Sequence, residues 1–139
     1  MKRLTILSTL IISIFFSYSL IFAGDMTGDW IQKDSWGARA GKSEHKLGHG
    51  DHWTTMKKAD FKLKITEQSP DSRSFHGKWC SPNKCEDLVG TIMSDGTIHM
   101  ADEDGHFEGR IIGSNMEICY IEADEDFRVV NCRVMEKSN

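Results

Sequence analysis

The densest chemistry in this chain lies in Glu44-His45-Lys46-Leu47-Gly48-His49-Gly50-Asp51-His52, where three imidazoles and two carboxylates fall within nine residues. Neutral imidazole suits zinc, copper or nickel, and the two glycines let the backbone fold around a point. His45, His49, Asp51 and His52 are therefore candidate metal ligands. A His-x3-His pair would put two ligands on one helical face, but Gly48 and Gly50 argue against a helix. The spacing matches no established metal motif. The alternative is a solvated loop that is rich in histidine, and no cofactor is implied beyond weakly bound zinc, copper or nickel.

A second acidic run, Asp102-Glu103-Asp104-Gly105, invites a calcium reading and fails it. An EF-hand loop would need an Asp where Met100 stands and a Glu where Ile111 stands. The run reads instead as a hairpin turn, with Gly105 taking positive φ. No nucleophile elbow and no phosphate-binding glycine motif occurs, so the sequence carries no catalytic signature.

Four cysteines, Cys80, Cys85, Cys119 and Cys132, have two readings. Zinc ligands come as short pairs, and Cys119 and Cys132 stand too far apart for that. Cys80-Ser-Pro-Asn-Lys-Cys85 places a cysteine at each shoulder of a turn, while Cys119 and Cys132 flank Ala123-Asp124-Glu125-Asp126. Local hairpins thus favour Cys80–Cys85 and Cys119–Cys132 over the two other pairings. Disulfides imply an oxidising, extracytoplasmic location.

The N-terminus agrees with that location. Met1-Lys2-Arg3 is followed by an uncharged apolar run to Phe22 and a small Ala23. That order is a secretory signal peptide over residues 1–23, although the run is also near the ~20 residues a spanning helix needs. Residues 1–23 carry two of the 17 basic residues and no acid. The remainder has 15 bases against 21 acids, a net of −6. A nucleic acid or an anionic membrane needs a basic footprint, so neither is an expected partner once the signal is removed.

Positioning falls to the elements of residues 24–139, read as a single domain. Phe61, Leu63 and Ile65 alternate with Lys62 and Lys64, the period of a half-buried strand. Similar segments recur over Phe75–Trp79, Asp87–Met93, Thr97–Ala101, His106–Ile112, Met116–Glu122 and Phe127–Met135, separated by turn residues such as Asp95-Gly96. With a first strand around Trp30 this makes about eight. The fold class is all-β, an antiparallel up-and-down barrel, with a flattened sandwich as the alternative. Trp30, Phe61, Leu63, Ile65, Phe75, Met100, Ile118 and Phe127 should share one interior. Lys33 to Thr55 is expected to be a long polar loop, the place where function resides. Trp36 and Trp53, near its two ends, are candidate contacts for a ligand or partner, or pins holding the loop to the barrel rim.

Thr27-Gly28-Asp29-Trp30 resembles the Gly-x-Trp signature of the calycins, the avidin and lipocalin barrels. That resemblance implies that Gly28 and Trp30 open the first strand, that Trp30 closes one barrel end, and that a basic residue of the last strand packs over it. Arg133 is the candidate for that position and Arg128 the alternative. The avidin-type ligand residues have no counterpart in recognisable order. The chain is otherwise similar to small exported bacterial proteins. Three functions follow as expectations. One is an exported binding module for a small apolar or amphipathic ligand. The others are an inhibitor or protein-interaction module, and a metal buffer using the His45–His52 loop.

Overall fold

The computed structural model describes residues 24–41, 54–55 and 60–138, and every described element is a strand. In chain order these are β1 (Gly28–Gly41), β2 (Thr54–Thr55), β3 (Lys62–Gln68), β4 (Ser74–Cys80), β5 (Cys85–Ile92), β6 (Thr97–Ala101), β7 (His106–Ile112), β8 (Asn115–Ala123) and β9 (Phe127–Lys137). Each strand from β3 to β9 pairs antiparallel with its sequence neighbour, and β9 pairs back onto β1. Among the described residues eight strands therefore close an up-and-down barrel, each paired on both sides over at least part of its length. The short β2 lies against Ala38 and Arg39, on the flank of β1 that β3 has already left.

Alternation selects the interior. Trp30, Leu63, Ile65, Phe75, Trp79, Leu88, Ile98, Met100, Phe107, Met116, Ile118 and Met135 are all buried in one apolar cluster. Each such side chain contributes about 1.5–3 kcal/mol relative to exposure. Of the eight residues expected inside, Phe61 is the one that is only partly covered, because it precedes β3 at the barrel rim.

Residues 33–41 are strand, not loop, which corrects the boundary of the expected 33–55 connection. Lys33 is a bulge: Gln32 lies opposite Met135 and Asp34 opposite Val134. The extra residue reverses which face each later side chain takes. Ser35, Gly37 and Arg39 then line up with the inward Arg133, Asn131 and Val129. Glycine at 37 is a packing requirement, since a Cβ there would stand 2.4 Å from the Val130 carbonyl oxygen.

Both disulfides are local and lie directly across hairpins, Cys80–Cys85 between β4 and β5 and Cys119–Cys132 between β8 and β9. They leave no free cysteine. Gly96 in the β5–β6 turn has φ 86°, as the Asp95-Gly96 pair requires. Gly105 does not: its φ is not positive. Its turn is built instead by Asp102, whose Oδ1 accepts the backbone N–H groups of Asp104 and Gly105. Glycine is needed there because a Cβ would come within 2.6 Å of the Tyr120 ring.

Candidate functional site

The two barrel ends differ in chemistry. At the end that carries Gly24–Thr27, a cavity of about 790 Å3 has a floor of Met26, Trp30, Ile92 and Ile98. Two of its polar groups are bonded within it. The Trp30 indole donates to the Met26 carbonyl at 2.9 Å, and Lys137 Nζ donates to the Asp25 carbonyl at 2.9 Å. Lys137 also stands 5.9 Å from the Trp30 ring centre, so the basic residue over Trp30 is Lys137. The expectation that Arg133 or Arg128 fills that place is corrected by register. Inward positions on β9 run Phe127, Val129, Asn131, Arg133, Met135, and Met135 separates Arg133 from the Trp30 end. Arg128 faces outward.

Arg133 belongs to the opposite end. There a cavity of about 410 Å3 is lined by the β4–β5 turn, the β6–β7 turn and the inner faces of β8 and β9. Phe61, Trp79 and Tyr120 line it and belong to an aromatic row that runs beneath them through the buried Phe107. Phe61 stacks on Trp79 at 5.1 Å, Trp79 meets Phe107 edge-on at 5.0 Å, and Phe107 meets Tyr120 at 4.9 Å. The Arg133 guanidinium lies over the first two rings, 4.3 Å from the Phe61 centre and 5.0 Å from the Trp79 centre. Its Nε donates to Gln32 Oε1 at 3.1 Å and its Nη1 to the Asn131 carbonyl at 3.2 Å.

Arg133 is only 3% exposed, and no carboxylate stands within ion-pair distance of it among the described residues. Burial lowers its pKa to about 10, which still leaves it charged at neutral pH. An unneutralised buried cation is costly, and structures retain one where something else gains from it. Burial likewise pushes the Asp102 carboxyl up, and the backbone N–H groups it accepts from oppose this in part. Tyr120 is raised far above the ordinary phenol range, first by burial and then by the charge of Asp102. Its hydroxyl donates to Glu122 at 2.9 Å.

Four buried polar atoms have no hydrogen-bond partner among the described residues: Gln32 Nε2, Arg39 Nε, Asp102 Oδ2 and Asn131 Oδ1. Arg39, Asp102 and Asn131 line the Arg133 cavity, and Gln32 is bonded to Arg133 itself. Native interiors satisfy nearly all such groups, with protein or ordered water, so their gathering at one place sets this cavity apart among the described residues.

The residues singled out by sequence are distributed differently. His45, His49, Asp51, His52 and Trp53 lie outside the described residues, as do residues 1–23. No group of three or more metal-ligating side chains occurs among the described residues. Trp36 is placed on the outer face of β1 opposite Cys132, 46% exposed, and does not line the cavity. Sequence reasoning missed Gln32, Arg39, Asp102, Tyr120 and Asn131. The available signal was the inward row of β9, where Asn131 and Arg133 interrupt an otherwise apolar alternation.

No family model matches the chain, and no curated relative matches it. Among solved structures it is similar to zebrafish ileal bile acid-binding protein complexed with cholic acid, with 11% sequence identity and a TM-score of 0.41. The match covers 81% of this chain and 98% of that one.

Proposed function

We propose that the chain is an exported small β-barrel binding module that holds a compact ligand in the Arg133 cavity. The observation that carries this reading is the unpaired buried Arg133 beside four unpartnered polar atoms, against the aromatic rings that line the cavity. The volume, about 410 Å3, falls in the range of roughly 300–1,000 Å3 usual for small-molecule sites. Two disulfides fit an extracytoplasmic, oxidising destination, in keeping with the signal-like residues 1–23. The ligand enters at a polar mouth and does not thread the barrel, because the fully buried Leu63, Ile118 and Met135 lie between the two ends.

Calorimetric titration of benzoate, benzamide and benzylamine against wild type and Val129→Trp tests this. Val129 is buried and lines the cavity, so tryptophan there fills it. Ser81→Trp, in the β4–β5 turn of the same lining, serves if Val129→Trp does not fold. Binding of at least one probe to wild type, lost in the folded filled variant, is the expected result. Equal heats in both proteins, or none in either, contradict it.

A protein-interaction reading has one observation of its own. Trp36 and Val130, 46% and 47% exposed, occupy neighbouring rows on the outer face of the β1–β9 pair. Exposed tryptophan is typical of contact surfaces. Under this reading Trp36→Ser weakens self-association or partner binding in sedimentation experiments, and leaves the probe titrations untouched.

A further inference from the structure

We infer that the ligand is a compact aromatic acid, its anionic group held by Arg133 and its ring extending the Phe61–Trp79 stack. This rests on the ligand-binding reading above and narrows it to a chemical class.

Charge is the first reason. The rim of the cavity carries four carboxylates, Glu86, Asp102, Asp104 and Glu122, yet none neutralises Arg133. Glu86 accepts from Lys84, and Glu122 accepts from the Tyr120 hydroxyl. Asp102 Oδ1 is bound to two backbone N–H groups. These carboxylates are engaged elsewhere, while among the described residues the buried cation has only neutral acceptors. Of the five N–H groups of a guanidinium, two go to Gln32 and Asn131, which leaves three for a ligand. A carboxylate is the planar acceptor that matches that fork, and Arg39, on the same lining, adds a second cation with an unpartnered Nε.

Shape is the second. Among the described residues the apolar surface at this cavity is mainly aromatic, with Phe61 and Trp79 lying within 15° of parallel. A flat ring continues such a stack with more contact than a flexible chain. The closed middle of the barrel leaves no tunnel for a long acyl tail. The carboxyl of Asp102, pushed up by burial and free at Oδ2, offers an acceptor to a ring hydroxyl.

The three ring-matched probes differ in charge while sharing a benzene ring, so their order of affinity reads the charge preference directly. In titrations of wild type at neutral pH, benzoate is expected to bind at least tenfold tighter than benzamide, with benzylamine weakest. Arg133→Met should bring benzoate to the benzamide level and leave benzamide unchanged. Benzamide or benzylamine matching or exceeding benzoate overturns the aromatic-acid inference while the binding reading stands. Silence from all three probes in folded wild type removes both.

Discussion

The guanidinium carbon of Arg133 stands 4.3 Å from the centre of the Phe61 ring, inside the mouth of a closed barrel. This pair joins the last strand to the residue that leads into β3, and both residues line the cavity at that end. Two consequences follow for stability. Arg133→Ala removes the layer over Phe61 and Trp79 and strips Gln32 and the Asn131 carbonyl of their donors. A loss of about 3 kcal/mol is expected. Arg133→Met strips the same two acceptors of their donors but keeps the layer over the rings and removes a buried unpaired charge, so it should lose less than Arg133→Ala, about 1 kcal/mol. Urea unfolding of the two variants checks the order; equal losses would mean that charge, not packing, is what Arg133 contributes.

Gly105 and Tyr120 form a second tight contact. A methyl at 105 would stand 2.6 Å from the Tyr120 ring, so Gly105→Ala should cost about 1–3 kcal/mol. Combining it with Tyr120→Leu should cost less than the sum of the single changes, since the smaller side chain relieves the clash. Strict additivity in thermal unfolding would contradict this contact.

The disulfides differ in loop length, with sequence separations of 5 and 13. On the chain-entropy account, replacing Cys119 and Cys132 by alanine should cost about 0.8 kcal/mol more than replacing Cys80 and Cys85. Denaturant midpoints of the two double variants, with unchanged slopes, measure that difference. A reversed order would show that local packing outweighs loop closure.

Asp102 gives the pH dependence its sign. Burial raises its folded pKa above the ordinary 3.8. A raised carboxyl stabilises the fold below its unfolded pKa, and that contribution is lost as pH rises through the folded value. Asp102→Asn, which can still accept from Asp104 and Gly105, should therefore melt higher than wild type at pH 7. The advantage should vanish below about pH 3.8. An asparagine variant less stable at pH 7 would show that the Asp102 charge is favourable where it lies.

Most of the scaffold was legible because its middle is apolar. Leu63 and Ile65, Ile98 and Met100, and Met116 and Ile118 alternate cleanly against outward polar residues, and their strands stand where that alternation puts them. The cysteine pairs were legible because each straddles one turn. Alternation faded at the mouth, where the inward residues of β1 are Ser35, Gly37 and Arg39. A strand whose inner face is polar has no hydrophobic period, and the Lys33 bulge shifts its phase as well. Residues 33–41 therefore read as loop. The site was hidden for the same reason. Asp102 looked like one acid in a turn, and Arg133 was assigned by resemblance to the wrong barrel end.

The proposed ligand enters at the Arg133 end of the barrel. Proton–nitrogen NMR of isotope-labelled protein titrated with benzoate tests this most directly, because Trp79 and Trp30 report on opposite cavities through their indole N–H groups. The expected result is a saturable shift of the Trp79 indole and the Arg133 Nε–H, with Trp30 unmoved. Shifts confined to Trp30, or none at either tryptophan up to millimolar benzoate, would contradict it.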